Sequence, residues 1–349
     1  MHSVHYLGDR LLVVAQGDSL PPRPGEVRID VAYTGICGTD LTVFNGKMDA
    51  RVTMPAVLGH EMSGRVAELG EGVTGWAAGD AVTVLPLDWC GQCPACIAGH
   101  HHLCHRLKFL GIDADGSMQN SWTVPATALV ALPPDLDLRH GAMVEPLAVA
   151  VHDVARAQVS AGDRVLVVGG GPVGLLIAMV SRVQGAEVRI SEPDPTRRSI
   201  ARELGFETID PAQEDLGELV ASWTEQAGVD IAFEVSGSSP GLSAAVAALK
   251  VRGRLALVGV HTTPVTVDLF RFFWRELELL GARLYQRGDF DAAVALITSG
   301  QVTVAPLLSK VVGLDEAPDA FRSLESGGVM KVLVDCGTRQ IVPEHDDNG

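Results

Sequence analysis

The stretch RVLVVGGGPVGLLIAMVSRVQGA, residues 164–186, decides the fold of this 349-residue chain. It reads as a buried strand, a glycine turn and a long apolar helix, and its Gly169, Gly171 and Gly174 stand at G-x-G-x-x-G spacing. Between a strand and a helix, such glycines allow a tight turn, close approach of the backbone to a pyrophosphate, and close packing of helix on strand. The phosphates would lie at the positive end of the helix. The stretch therefore predicts a dinucleotide-binding turn.

A carboxylate follows this turn where a ribose-binding acid is expected. Glu192 stands at the end of the next predicted strand, EVRISEPD, roughly 20 residues after the glycines. A carboxylate here binds the ribose diol and repels a 2′-phosphate, so the sequence favours NAD over NADP. Arg197 and Arg198 lie nearby and work against that preference. The alternative is a glycine turn that binds no ligand, with Glu192 solvated at the surface.

The organisation of the chain around this turn predicts an α/β protein of two domains. Predicted strands and helices alternate after residue 164, which is typical of a doubly wound parallel sheet, here of six strands. Before His140, short alternating strands such as EVRIDVAYTGIC and SGRVAELG favour a small barrel or sandwich. We expect the tail to return to this first part. The predicted domains are therefore 1–150 with 287–349, and 151–286 between them.

Charge and composition restrict the partners. The formal net charge of −16 argues against a nucleic acid or an anionic membrane, because either would be repelled. No apolar run is long enough to span a bilayer, and the first residues, MHSVHYLGDRLLVV, lack the pattern of a secretory signal. We therefore expect a cytoplasmic protein without a membrane partner, in which the six cysteines are metal ligands or free thiols.

The loop CGQCPACIAGHHHLC contains Cys90, Cys93, Cys96 and Cys104 at the spacing C-x2-C-x2-C-x7-C. Four thiolates close a tetrahedral zinc shell and leave no open position for a substrate. An iron–sulfur cluster is the nearest alternative, but its ligand run has a shorter last spacing followed by proline. The spacing therefore favours a structural zinc. The loop's histidines, residues 100–102, are interpreted as exposed.

A second set of candidate ligands is scattered through the motifs GICGTDL, LGHEMSG and MVEPLAV. Cys37, His60, Glu61 and Glu145 combine soft, borderline and hard donors, a mixture that suits a catalytic zinc. Taken singly, each also fits a buried cysteine, a core histidine or a solvated carboxylate.

These motifs resemble those of one family along nearly the whole chain. GHEMSGRVAELGEGV, residues 59–73, fits the zinc signature GHE-x2-G-x5-G-x2-V, and the cysteine loop and GGGPVG fit the structural-zinc lobe and the cofactor turn. VTVDLFRFFWRELELLGARLY and GLDEAPDAF fit later segments. The chain thus resembles the zinc-dependent medium-chain dehydrogenase/reductase superfamily, in the polyol branch with sorbitol, threonine and butanediol dehydrogenases.

The resemblance implies a GroES-like β-rich catalytic domain, a Rossmann NAD-binding domain, and two zinc ions per subunit, catalytic and structural. Cys37 and His60 would hold the catalytic zinc. Glu61 would be a direct or exchangeable ligand, and Glu145 would bind directly or through water. Thr39 would bond the substrate hydroxyl and begin a proton relay. The implied NAD site is Gly169, Gly171, Pro172, Val173, Gly174, Glu192 and Arg197.

The implied reaction is hydride transfer from a secondary alcohol, such as a polyol, vicinal diol or sugar alcohol, to NAD, which gives the ketone. Alternatives are an NADP-preferring zinc alcohol dehydrogenase or aldehyde reductase, and a non-catalytic zinc-binding member. The resemblance also implies a homodimer or homotetramer, in which the aromatic segment VTVDLFRFFW would pack at the cleft or between subunits.

Two positions depart from the family pattern. Thr42 replaces a relay histidine, so the outer relay differs. Leu284 with Tyr285 replaces an Arg-Tyr pair that contacts polyol hydroxyls, which makes sorbitol a less expected substrate. Arg283 or Arg287 could compensate.

Overall fold

The computed structural model describes residues 1–325 and 328–337, within which the strands form two large sheets, of seven and six strands, and two small ones, of three and two strands. The strands are β1 (His2–Tyr6), β2 (Leu12–Gln16), β3 (Glu26–Gly35), β4 (Ala56–Val57), β5 (Glu61–Leu69), β6 (Ala81–Val84), β7 (Leu87–Asp88), β8 (Lys108–Phe109), β9 (Ser121–Pro125), β10 (Leu129–Ala131), β11 (Arg164–Val168), β12 (Glu187–Ser191), β13 (Glu207–Ile209), β14 (Val229–Glu234), β15 (Leu249–Leu257), β16 (Glu278–Gly281), β17 (Leu308–Gly313) and β18 (Lys331–Asp335). The helices are α1 (Gly38–Phe44), α2 (Pro94–Ile97), α3 (Leu138–Gly141), α4 (Val144–Arg156), α5 (Pro172–Val183), α6 (Pro195–Glu203), α7 (Leu216–Trp223), α8 (Ser239–Ala248), α9 (Leu269–Arg275), α10 (Arg287–Thr298) and α11 (Ala317–Glu325).

The deciding stretch forms the centre of a parallel sheet. Within the described residues, the six strands are ordered β13-β12-β11-β14-β15-β16, and every pair is parallel. Val165 and Val167 of β11 pack into the hydrophobic cluster that contains α5, whereas Leu166 and Val168 pack on the opposite face, in the cluster that contains α8. A strand covered on both faces is a continuous apolar run, as residues 165–168 are here. The doubly wound sheet is confirmed.

The β-rich part is built around β3. This strand pairs with β5 and β9, and also with β18, so the tail of the chain does return to the first part. Within the described residues this sheet has seven strands, ordered β10-β6-β5-β3-β18-β17 with β9 also on β3. Residues 338–349, the end of the predicted catalytic segment, lie outside the described residues.

Helix α4 lies in the chain between the seven-stranded and the six-stranded sheet, and it packs against both α5 and α10. The predicted boundary between residues 150 and 151 falls within this helix, and the one between 286 and 287 falls at the start of α10. The division into two domains at these residues stays a prediction. None of the described helices combines the length and the apolar character that a membrane crossing requires.

Candidate active site

The start of α1 fixes the first candidate ligand. Cys37 is the N-cap of this helix, and its Sγ accepts a hydrogen bond from the backbone N–H of Thr39 at 3.5 Å. In return, the Cys37 N–H donates to Asp40 Oδ2 at 2.8 Å, which completes a capping box. Asp40 is fully buried. The cap therefore holds the thiol and places Thr39 two residues further on, half-buried, in the first turn.

His60 and Glu61 enter the same site from the start of β5. Asp40 Oδ1 accepts from the Gly59 N–H at 3.3 Å and lies 3.6 Å from Nδ1 of His60. The ring of Phe109 packs edge-on against the His60 ring, with 4.9 Å between centroids. A carboxylate beside one imidazole nitrogen orients the ring and favours metal binding at the other. Asp40 thus positions two neighbouring candidate ligands, a role that the sequence analysis missed.

The Glu61 carboxylate is held by a lysine from the far end of the chain. Lys331 Nζ lies 2.8 and 2.6 Å from the two carboxylate oxygens, and both residues are at least 96% buried. A Cβ on Gly35, which faces Glu61 across the β3–β5 pair, would lie 2.2 Å from Glu61 Oε2. Only glycine leaves room for the carboxylate there. Neither Gly35 nor Lys331 carries a sequence signal that points to this site.

Glu145 lies beside this group, at the start of α4. It is buried, and its Oε1 accepts a hydrogen bond of 2.7 Å from the hydroxyl of Tyr285, which is fully buried. Burial is the main reason that the pKa of Glu145 rises to about 7, with His60 lowering it and Glu61 raising it. In the sequence, Tyr285 belongs to the Leu284-Tyr285 pair that departs from the family pattern. In the structure, its hydroxyl group binds the carboxylate of Glu145, a candidate metal ligand.

The donor set fits a zinc ion. One donor atom each of Cys37, His60 and Glu61 lies within 4.8 Å of the others, whereas Glu145 is outside this group. Sulfur, imidazole and carboxylate donors are the ligands of catalytic zinc sites.

The local charge supports the same conclusion. Burial opposes a charge on His60 and on Lys331, yet the surrounding anionic groups raise the pKa of both. Burial and Glu145 raise the pKa of Tyr285 well above its usual range. All three shifts favour the protonated form, as a site with excess negative charge requires. A divalent cation would neutralise that charge.

The cysteine loop forms a separate cluster. Its four Sγ atoms lie within 4.8 Å of one another, and adjacent pairs are 3.5, 3.5 and 3.9 Å apart. A disulfide would need about 2.0 Å, whereas the edge of a tetrahedron with zinc–sulfur bonds of 2.3 Å is about 3.8 Å. Backbone N–H groups of His105 and Arg106 donate to the sulfurs. The cluster is therefore shaped for a closed, structural zinc.

One expectation about this loop is wrong. His100 and His101 are exposed, as expected, but His102 is only 5% exposed. Its ring packs against His152 of α4, with 4.8 Å between centroids, and His152 Nδ1 lies 2.9 Å from Asp289 of α10. The loop is anchored to these two helices, which is why one of its histidines is buried.

The predicted dinucleotide turn has the geometry that its glycines imply. Gly169 has φ +107°, and Gly171 is the N-cap of α5, with Pro172 and Val173 in the first turn. A Cβ on Gly174 would lie 1.9 Å from the carbonyl oxygen of Gly169. The last glycine is therefore required by helix-to-strand packing.

Glu192 lies against this turn. Its two carboxylate oxygens accept the N–H groups of Gly170 at 2.6 Å and Asp194 at 2.8 Å, and the residue is 4% exposed. Arg197, in the first turn of α6, points toward Gly171, and its Nε has no partner among the described residues. The structure thus brings the predicted cofactor residues together at the carboxyl ends of β11 and β12, two inner strands of the parallel sheet.

Comparison with known proteins assigns both parts of the chain. Residues 23–134 match the alcohol dehydrogenase GroES-like domain, and residues 172–299 match the zinc-binding dehydrogenase family. A 2-dehydro-3-deoxy-L-galactonate 5-dehydrogenase of Pseudoalteromonas atlantica is 48% identical over 97% of this chain and 100% of its own length. A sorbitol dehydrogenase of Halalkalibacterium halodurans is 35% identical over 90% and 93%.

Solved structures agree. A protein from Sinorhizobium meliloti, described as a zinc-binding dehydrogenase and bound to NADP, has a TM-score of 0.91 at 33% identity, over 96% of this chain and 98% of its own. The 2R,3R-butanediol dehydrogenase of Bacillus subtilis has a TM-score of 0.88 at 29% identity, over 96% and 99%. These matches and the two cysteine-containing clusters lead to one conclusion. The chain belongs to the zinc-dependent medium-chain dehydrogenase/reductase superfamily, in its polyol dehydrogenase branch.

Proposed function

We propose that this protein is a zinc-dependent dehydrogenase that oxidises a secondary alcohol of a polyol, vicinal diol or sugar-derived substrate to the ketone, with NAD as acceptor. The observation that carries the proposal is the convergence of the half-buried Cys37 with the buried His60 and Glu61 in one negatively charged site. When bound, zinc would act as a Lewis acid on the alcohol oxygen, and NAD would accept the hydride.

The residues around the ligands have separate tasks. Asp40 orients His60, and Lys331 compensates the charge of Glu61. Thr39 would accept the proton of the substrate hydroxyl. Thr42 cannot extend the relay as an imidazole would, because a hydroxyl does not titrate near neutral pH, and its Oγ1 already donates to the Gly38 carbonyl at 2.9 Å. The proton would therefore pass from Thr39 directly to solvent.

The choice of NAD rests on Glu192. Two backbone N–H groups hold its carboxylate against the glycine turn. Because the carboxylate is fixed there, its negative charge would repel the 2′-phosphate of NADP. NADP is the alternative, favoured by the nearby Arg197 and by the NADP-bound relative. We expect kcat/KM to be higher with NAD, and Glu192→Ala to reduce that preference.

The test is NADH formation by zinc-loaded protein with 2-dehydro-3-deoxy-L-galactonate, sorbitol, 2R,3R-butanediol and L-threonine, with NADP in parallel. We expect turnover of at least one substrate, and two zinc ions per chain by metal analysis. Cys37→Ala should retain one zinc and the fold but lose activity. No turnover with any substrate while two zinc ions are bound would contradict the proposal. A protein that binds only one zinc ion would favour the non-catalytic alternative.

We further propose that the protein is a cytoplasmic homo-oligomer, a dimer or a tetramer. Leu269, Phe270, Phe273 and Trp274 of α9, which we call the aromatic patch, are between 68% and 77% exposed. Helix α9 packs against β15 and is followed along the chain by β16, the edge strand of the parallel sheet. Such a surface is typical of an interface. The uncrosslinked cysteines suit a reducing compartment.

A further inference from the structure

We propose that the substrate carries a carboxylate and that Arg283 binds it at the mouth of the active site. This inference rests on the proposed dehydrogenase function and specifies its substrate class as a sugar acid rather than a neutral polyol.

The first support is the position of Arg283. It precedes Tyr285 by two residues, and the Tyr285 hydroxyl contacts Glu145 in the metal site. Leu284 between them has φ +59°, so the chain turns sharply here. Arg283 Nη1 lies 3.4 Å from the carbonyl oxygen of His102 in the cysteine loop. The guanidinium therefore contacts the cysteine loop, and the residue is exposed.

The second support is a chain of contacts that links another arginine, Arg51, to His60 in the metal site. Arg51 binds Asp113 through two hydrogen bonds of 2.7 and 2.6 Å, and Asp113 Oδ2 accepts the Phe109 N–H at 2.8 Å. The Phe109 ring contacts His60. Burial lowers the pKa of Arg283, and the positive charge of Arg51 lowers it further. Arg51 is therefore linked to His60 through Asp113 and Phe109.

The third support is that Arg283 lacks the carboxylate partner that Arg51 and Arg287 each have in the described part of the chain. Asp113 neutralises Arg51, and Arg287 lies 3.7 Å from Asp291. In residues 1–325 and 328–337, no carboxylate lies within salt-bridge distance of Arg283. A planar guanidinium without an anionic partner is suited to bind a carboxylate through two parallel hydrogen bonds. In a chain of net charge −16, it provides a local positive charge for an anionic substrate.

The chemistry of a relative agrees with this assignment. The Pseudoalteromonas enzyme is named for oxidation at C5 of 2-dehydro-3-deoxy-L-galactonate. In that compound the C1 carboxylate is separated from C5 by a short carbon chain. One end of such a molecule can therefore lie at the metal site while the other reaches the mouth.

The test compares Arg283→Met with Arg287→Met as a matched control, since Arg287 has its own carboxylate partner. The probes are 2-dehydro-3-deoxy-L-galactonate and the neutral 2R,3R-butanediol. We expect Arg283→Met to raise KM for the acid about 10- to 100-fold, the range of one charge-assisted pair, with a smaller change in kcat. KM for butanediol should not change. Arg283→Lys should recover part of the loss, and Arg287→Met should resemble the wild type.

Calorimetric binding of the acid to the zinc-loaded protein gives a readout that does not depend on turnover. Equal affinity of the wild type and Arg283→Met for the acid would overturn the assignment of Arg283. Oxidation of butanediol by a wild type that neither binds nor oxidises the acid would overturn the carboxylate inference and leave the proposed function standing. Binding of the acid through Arg283 without oxidation of any substrate would support the inference and contradict the proposed function.

Discussion

Lys331 and Glu61 form a buried ion pair at the floor of the candidate metal site. Both side chains are at most 4% exposed, so each charge depends on the other for compensation. Breaking a buried pair leaves one uncompensated charge in a low-dielectric environment, which is much more costly than the loss of a surface pair. Lys331 is therefore both a stabilising residue and the positive group that pairs with Glu61, itself a candidate metal ligand.

We expect Lys331→Met to reduce the free energy of unfolding by about 3–5 kcal/mol, because the Glu61 carboxylate would remain buried without a partner. The measurement is thermal or denaturant unfolding of the metal-loaded protein. The double variant Lys331→Met with Glu61→Gln should recover part of the stability, because no buried charge is then left. Equal stability of the Lys331→Met variant and the wild type would show that the pair contributes nothing.

Asp40 acts on two candidate ligands at once, through the N–H of Cys37 and through Nδ1 of His60. We expect Asp40→Asn to weaken binding of the catalytic metal or reduce activity by about 10- to 100-fold, as is usual for carboxylates that orient metal-binding histidines. Asp30→Asn, on the exposed side of β3, is the matched control. Zinc titration and steady-state kinetics measure the effect. If both variants retained wild-type affinity and rates, Asp40 would have only a capping role.

At the scale of elements, the turn between β11 and α5 combines two demands on glycine that differ in kind. Gly174 allows α5 to pack on β11, since its Cβ would collide with the Gly169 carbonyl oxygen at 1.9 Å. Gly171 is different, because a Cβ there would meet only Arg197 Nη1, at 3.8 Å. Its backbone has φ −68°, which any residue adopts. The fold therefore does not require glycine at position 171, and we propose that Gly171 serves the close approach of the cofactor.

This difference can be measured in the protein without cofactor. We expect Gly174→Ala to lower the free energy of unfolding by about 1–3 kcal/mol or more, because of overpacking against the backbone. Gly171→Ala should cost less than about 1 kcal/mol but should weaken NAD binding. Thermal unfolding of the apo protein and a separate NAD titration distinguish the two effects. Equal losses of stability in both variants would contradict this assignment of roles.

At the scale of the whole molecule, the parallel sheet ends at β16, whose outer edge has no strand partner in the described part of the chain. Leu279 of β16 is 51% exposed, and in the aromatic patch of the preceding helix the rings of Phe270 and Trp274 stack at 5.8 Å. An edge with free backbone groups next to exposed aromatic residues favours pairing with a second copy. This surface is therefore where the proposed oligomer would form.

We expect Phe273→Asp to shift the protein to a smaller species in light scattering coupled to size-exclusion chromatography, because a charge would be buried at the centre of the interface. Leu20→Asp is the matched control, since Leu20 is 74% exposed but far from the patch in sequence and outside the regular elements. A wild type that elutes as a monomer would contradict the proposed oligomer. An unchanged oligomer in Phe273→Asp would locate the interface elsewhere.

The sequence by itself determined the parallel sheet and the cysteine cluster, because both depend on local patterns. A buried strand, glycine turn and apolar helix are contiguous in residues 164–186, and the four cysteines lie within one loop. Recognition of the family signature added Cys37, His60, Glu61 and Glu145 as candidate ligands. In each case the signal lies in spacing along the chain.

The residues that support those ligands can be identified only from the tertiary structure, because they lie far from the ligands in sequence. Lys331 reaches Glu61 across 270 positions because β18 pairs with β3, and Tyr285 reaches Glu145 across 140. Nothing in the sequence around this lysine or this tyrosine distinguishes it from others. Each has its role because it is buried next to a carboxylate. The same holds for His102, buried by helices distant in sequence, and for Arg283, whose uncommitted charge is visible only once the other arginines are seen to be paired.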